Sequence, residues 1–494
     1  MAALAVAGVT SAQSSVTLFG VIDGTLSHSS TKSEYFNANP LYVAGANGQF
    51  VLNQAALAQP TTTPFGRKQS ATSLGNSGAA SSRLGFRGIE DLGGGLAASF
   101  WLEASIAPDT GLGKSGSTKS GNAFAFDRRS TVSLSGPFGE VRLGRDYLPT
   151  FWNDTNFDPF GTNGSGTSII NAVNSYLVPG SATSWVDGYV RSNNSIGYFL
   201  PANLGGFYGQ VMYALPEKTA YSAGVPNSAY NSAVTASACP TGLASAGSVS
   251  CDSSSTNRYI GGRFGYANGP VDVAVAYGQF TANDVSGSGL SLTNGGAASS
   301  AISASRKLNT FNLGASYDFG VVKLFGEYSR IDDKNASTTS LSQQMNLSGA
   351  SFASGTGSSA AYTDKYTGYL VGATMPIGAG LIRVAYSHVK FGNGQVPGTT
   401  SSFSYPPLTF NSNLTALSTN PDASVNRFAV GYVHNLSKRT ALYTTVGYTR
   451  AKNSYNNSAI ASAVGGLSVS GATALTGWAP KSSTSYDFGI RHSF

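Results

Sequence analysis

The last ten residues, "SYDFGIRHSF", alternate strictly. Tyr486, Phe488, Ile490, His492 and Phe494 fall on one face of an extended chain, and Ser485, Asp487, Gly489, Arg491 and Ser493 on the other. A chain end is ordinarily polar and frayed unless something ties it down. The same period of two runs through the whole sequence. "SVTLFGVIDGTL" sets Val16, Leu18, Gly20 and Ile22 against Thr17, Asp23 and Thr25. "GLAASFWLEAS" sets Leu96, Ala98, Phe100 and Leu102 against Ala97, Ser99, Trp101 and Glu103, and "VDVAVAYGQF", "TFNLGASYDF", "GLIRVAYSHV", "NRFAVGYVHN" and "RTALYTTVGYTR" behave alike. Each run lasts about 8–12 residues, the length of a tilted strand crossing a bilayer. Many apolar faces end in an aromatic, such as Tyr266, Tyr277, Tyr317, Tyr432 or Tyr448, as in the interfacial girdles of membrane barrels.

The connections come in two sizes that take turns. Tight ones are "EDLGGG", "SGPFGE", "PANLGG", "ANGP", "DFG", "MPIGAG" and "NLSKR". Long ones span 29–80, 107–122, 148–188, 215–257, 282–306, 332–363, 392–423 and 453–480, rich in Ser, Thr, Asn, Gly and Ala. Seven tight turns and eight long loops predict sixteen strands, with all tight turns at one end. In hydrocarbon every backbone polar group must pair within the protein, so such a sheet has to close. The fold class is therefore all-β: a transmembrane antiparallel barrel of sixteen strands, with short periplasmic turns and long extracellular loops. Closure predicts that "YDFGIRHSF" pairs with "SVTLFGVID", leaving no edge.

Composition agrees. Only 11% of residues are charged, while 25 Tyr, 26 Phe and 61 Gly favour strands and turns over disorder or helix bundles. The net charge of +7 is spread over single cations rather than a basic block, which argues against nucleic acid as a partner and for a basic pore. "MAALAVAGVTSAQSS" reads as the remnant of a secretory signal over residues 1–12, leaving 13–494 as one barrel domain. Cys239 and Cys251, in a Ser/Gly-rich stretch, suit a disulfide in an oxidising compartment, with two free thiols as the alternative. No cofactor or metal is expected. His388, His434 and His492 fall on lipid-facing strand ends, and neither G-x-S-x-G nor H-E-x-x-H occurs. An enzyme is therefore disfavoured, although an Asp–His pair at the rim and a surface adhesin or phage receptor acting through the long loops are other classes to weigh.

Four blocks in order, "SSVTLFGVIDG", "SSRLGFRGIEDLGGGLAASFWLEASIAPDTG", "FDRRSTVSLSGPFGEVRLGRDYLP" and the final "YDFGIRHSF", resemble the sixteen-stranded trimeric general porins of Gram-negative bacteria, in the branch found in Neisseria and Burkholderia-type organisms. The resemblance implies an outer-membrane homotrimer among lipid and lipopolysaccharide. It also implies a third long loop folded into the lumen, and passive diffusion of small hydrophilic solutes and anions. Phe494 matches that family's signal for the barrel-assembly machinery. The first long loop, 29–80, is longer than the family pattern.

Selectivity in a pore comes from width and fixed charge at its narrowest point. With Leu84 and Phe86 facing lipid, Arg83 and Arg87 face the lumen; with Val141 and Leu143 out, Arg142 faces in. In "FDRRSTVSL" parity favours Arg129, whereas the resemblance aligns Arg128, and a bulge would reconcile the two. Arg191, Arg263, Lys323, Arg383 and Arg427 are more distant inward cations. In "RDYLPTFWNDTNFDPFG", Asp154 and Asp158 are expected either to oppose the arginines across the constriction or to cap a turn within the loop.

Overall fold

The computed structural model describes residues 15–37, 42–44, 50–52, 54–57, 66–113, 125–177, 186–216, 253–255, 258–291, 298–339, 360–392, 423–454, 464 and 476–494. Residues 1–12 and both cysteines lie outside them. Sixteen strands form the barrel: β1 Ser15–Asn37, β2 Arg83–Gly93, β3 Leu96–Ser105, β4 Arg129–Gly136, β5 Gly139–Tyr147, β6 Arg191–Phe199, β7 Phe207–Ala214, β8 Arg258–Asn268, β9 Val271–Ser291, β10 Ala298–Asp318, β11 Lys323–Thr339, β12 Ala360–Ile377, β13 Gly380–Phe391, β14 Ala423–Asn435, β15 Thr440–Lys452 and β16 Thr476–Ser493. Each pairs antiparallel with its chain neighbours. β16 returns to β1 from Val21↔Ser493 to Asn37↔Thr476, which closes the sheet. A supplementary strand, Gly66–Asn76, covers the far part of β1 where β2 no longer reaches it.

The seam explains the alternating terminus. Gly20 N–H donates to Phe494 O at 3.0 Å and Phe494 N–H to Gly20 O at 3.1 Å, so the last residue completes the ladder. A Cβ on Gly20 would fall within the Phe494 ring, so the glycine makes room for the terminal aromatic on the lipid face.

Pairing continues beyond the predicted strands. Much of the 282–306 segment, expected as a loop, is ladder between β9 and β10. Antiparallel pairing continues into water because it needs no apolar alternation there. Outward residues such as Val16 (68% exposed) and Leu18 (55%) form the apolar exterior. No described helix is long and apolar enough to cross a membrane.

The buried apolar core lies inside the lumen. After β5 the chain enters helix α1, Pro149–Phe157, then a short turn at Gly164–Gly166, then helix α2, Ile169–Leu177. Pro149 opens α1, where its missing N–H is no loss. Ile169, Ile170, Val173 and Leu177 form one stripe of α2. They pack against inward side chains of β8 to β13, including Tyr259, Leu308, Ile331, Leu370 and Val389. Fully burying each such side chain contributes about 1.5–3 kcal/mol. Two wall glycines admit the loop: a Cβ on Gly368 would come 2.8 Å from Ile170 Cγ1, and one on Gly372 2.5 Å from Pro159 Cγ.

Gly20→Val should lower the stability of the folded barrel by about 1–3 kcal/mol through overpacking at the seam. Adding Phe494→Ala should restore part of that loss, and urea titration of unheated, folded protein measures both. Equal stability of Gly20→Val and the parent would remove the packing role given to Phe494.

Candidate pore constriction

The lumen wall from β2 to β6 is lined with arginine. Arg83 and Arg87 project inward on either side of Gly85. On β3, Trp101 stands opposite Arg87 and Glu103 opposite Gly85. The Trp101 ring is flanked by two guanidinium groups, Arg87 at 5.4 Å and Arg129 at 4.5 Å, while its Nε1–H donates to Glu103 at 3.1 Å. Glu103 also takes the Nε–H of Arg128 and lies 3.9 Å from Arg83. Tyr147 Oη accepts from Arg128 at 2.8 Å and from Arg191 at 3.0 Å, with Arg191 stacked 4.4 Å above its ring. Arg142 bridges Glu140 at 2.9 Å and Asp146 at 2.6 Å, and Asp146 is 3.6 Å from Arg129.

Arg128 and Arg129 both turn inward. β4 begins at Arg129, which obeys parity; Arg128 precedes the strand, bound to Glu103 O through its N–H at 3.0 Å, so the two-residue rule does not govern it. Glu103, Glu140 and Asp146 bond Arg128, Arg142 and Arg129. Arg83, Arg87 and Arg191 have no carboxylate closer than 3.9 Å among the described residues. The wall keeps an excess of positive charge.

The two loop aspartates do not oppose it. Asp154, from α1, is fully buried against the far wall, between Asn174 at 3.1 Å, Asn312 of β10 and Glu327 of β11. Asp158 caps the loop's own turn, accepting the N–H of Phe160 at 2.8 Å and of Ser168 at 3.1 Å. The cations it acts on are Arg383 and Arg427. An expected field between opposed exposed charges is thus replaced by a different arrangement. Asp154 and Asp158 are the only charged residues from 148 to 177, and both are buried. With its back against β8 to β13 and both carboxylates buried, the loop adds no exposed charge to the lumen. The exchange has a physical cause: a carboxylate can anchor a loop only by giving up water for N–H donors, which removes it from the pore surface.

Among the more distant cations, Arg191 joins the cluster. Arg263 bonds Asn153 of the loop at 2.9 Å and Tyr208 at 3.0 Å. Lys323 sits at the tight-turn end of β11, 5.1 Å from the Phe325 ring. Glu140 and Asp146 were legible by parity, being two and four positions from Arg142 on one strand face. Tyr147 and Glu327 carried no comparable signal, since their partners come from other strands or from the loop.

Residues 1–454 match the family model described as Gram-negative porin. The chain belongs to that family. It is 32% identical over its entire length to outer membrane porin protein 32 of Delftia acidovorans, covering 98% of that protein. It is 28% identical to an outer-membrane porin of Bordetella pertussis, over 90% of this chain and 91% of the other. Among solved structures it is similar to an anion-selective porin from Comamonas acidovorans, with a TM-score of 0.56 and 28% identity, covering 98% of this chain and 100% of the other. This porin is an outer-membrane channel protein of the Gram-negative type, built as a closed sixteen-stranded barrel.

The Asp154–Glu327 contact generates a pH prediction. Burial pushes the Asp154 carboxyl above the usual aspartate range, and the Glu327 oxygens have no N–H donor among the described residues. Two facing carboxyls coexist only with a proton between them. A raised carboxyl pKa means that the folded state holds the proton more tightly. The stability it supports is therefore present at low pH and lost as pH rises through the folded pKa. Glu327→Gln replaces the proton with a permanent amide donor. The third loop of the variant should resist limited proteolysis equally at pH 6 and pH 9, while the parent becomes more susceptible at pH 9. An identical pH response in both proteins would discount the shared proton.

Proposed function

We propose that this porin passes small hydrophilic solutes by diffusion and favours anions over cations, with Arg83, Arg87, Arg128, Arg129, Arg142 and Arg191 setting the preference. The observation that carries this reading is the pairing of an arginine-rich wall with a loop face that has no exposed charge. The described anion selectivity of the Comamonas porin, similar over the whole chain, supports it. Conduction needs no chemistry at any side chain. The barrel works as a trimer in the outer membrane, an assembly drawn from the resemblance to trimeric general porins, with its apolar exterior against lipid, lipopolysaccharide and its own copies.

Elementary electrostatics gives the size of the effect. A unit charge about 8 Å from a monovalent ion in water acts on it with about 0.5 kcal/mol, falling to about 0.2 kcal/mol after physiological screening. The sign is opposite for anion and cation, so each arginine counts twice in a permeability ratio.

Arg83→Gln together with Arg87→Gln should lower the chloride-to-potassium permeability ratio roughly fourfold. The reversal potential across a planar bilayer in a KCl gradient measures it, and an unchanged potential would dismiss these two residues as determinants. Acidification should act in the opposite direction. Burial raises the Asp158 carboxyl to about 6, so protonation below that pH removes a negative charge from the lumen. Chloride preference should rise between pH 7.5 and pH 5, and Asp158→Asn should flatten that rise; a variant as pH-sensitive as the parent would exonerate Asp158.

A further inference from the structure

The outward side of β10 to β15 repeats one arrangement from strand to strand. Phe311 of β10, Tyr369 of β12, Tyr386 of β13 and Tyr448 of β15 face away from the lumen. Four residues farther toward the long loops, on the same strand and the same face, stand Lys307, Lys365, Lys390 and Lys452, all exposed. Arg450 lies between Tyr448 and Lys452 on that face. Four residues of strand rise about 13 Å, or about 10 Å in height at the usual barrel tilt. Aromatic side chains mark the boundary between hydrocarbon and headgroups, so the cations stand at headgroup level. Toward the tight turns the outward residues of these strands include no Lys or Arg; Lys438 and Arg439 belong to a turn itself.

Register gathers three of the strands around one point. Lys390 is opposite Ser424 of β14, and Ser424 is opposite Lys452. With strands about 4.8 Å apart, the two lysines bracket the serine across a gap of about 10 Å. One step closer to the aromatics, Asn426 is opposite His388 on one side and Arg450 on the other. Beneath them Tyr386, Phe428 and Tyr448 form one row, and Val384, Val430 and Val446 the next. Arg450 and Lys452 have no ion-pair partner among the described residues. The described acids on this exterior are engaged elsewhere: Asp332 of β11 is held by Arg330 at 3.2 Å and stands opposite Lys365, and Glu34 of β1 is held by Lys481 at 2.6 Å. Like charges on one sheet face repel, and cations beside hydrocarbon are costly, unless anions join them. A lipid with several acyl chains and a phosphorylated headgroup meets both levels at once. Its phosphate oxygens take the cations and the serine hydroxyl, while its chains lie on the aromatic and valine rows.

We propose that Lys390, Ser424, Arg450 and Lys452 form an external docking site for a phosphorylated glycolipid of the lipopolysaccharide class, on the outward side of β13 to β15. The site gives residues to the lipopolysaccharide contact proposed above and rests on it, but it uses none of the arginines that set ion preference.

The test takes the whole protein, refolded in detergent free of lipopolysaccharide, and adds purified bisphosphorylated lipid A; native mass spectrometry measures the lipid retained. The parent should retain lipid A saturably, and Lys390→Gln with Arg450→Gln and Lys452→Gln should weaken retention about tenfold or more. Lys390→Arg with Lys452→Arg keeps the charges and should stay within about twofold of the parent. Inorganic phosphate, which has no chains for the apolar rows, should bind parent and triple variant alike. Undiminished retention in the triple variant, an arginine variant as weak as the glutamine one, or phosphate binding that falls with the glutamine substitutions would overturn the lipid site. A triple variant that loses its trimer before lipid is added would assign the face to a neighbouring copy and overturn it as well. Should the triple variant fail to refold, Lys452→Gln alone is expected to lose about threefold, and unchanged retention there overturns the site equally. The KCl reversal potential of the triple variant should match the parent's, which keeps failure of this site distinct from failure of the pore reading; a shifted potential would place these residues in the pore instead.

Discussion

Backbone N–H and C=O groups have no water to bond in the hydrocarbon of a bilayer, and the rest of this molecule follows from that. Each strand must be paired on both sides, so the sheet closes and the two chain ends meet. That demand reaches single atoms: the terminal residue bonds Gly20 in both directions, and Gly20 has no side chain because the Phe494 ring occupies the space. The exterior is left free to be apolar, since it faces lipid rather than water.

Closure creates a second problem that the third loop resolves. A barrel of sixteen strands encloses more space than wall side chains fill. Here much of that space holds a compact apolar unit, the stripe of α2 and the aromatics of α1 against inward leucines, isoleucines and tyrosines of β8 to β13. Gly368 and Gly372 allow the loop to approach the sheet closely. The loop then has a buried back, and both of its carboxylates are buried with it.

Charge is distributed by the same division. Carboxylates that anchor the loop or pair with arginines cease to act as isolated charges in the pore: Asp154 and Asp158 serve the loop, while Glu103, Glu140 and Asp146 serve the wall. What is left over is cationic.

Much of this architecture was legible in the chain itself. The two-residue period identified the faces of the strands, the taking of turns between short and long connections set their number and direction, and parity pointed Arg83, Arg87, Arg129 and Arg142 inward. These are local properties of an extended backbone, whose side chains must alternate whatever lies around them. Only the folded barrel decided the rest. Asp154 went to Asn312 and Glu327, Arg191 joined Arg128 at Tyr147, and Arg383 came to lie against the Phe160 ring of the third loop. Each of those outcomes depends on which residues from distant strands share a level across the lumen, and on how a loop seats among them. Periodicity carries no information about either, because contact across a closed sheet is set by register and stagger rather than by distance along the chain.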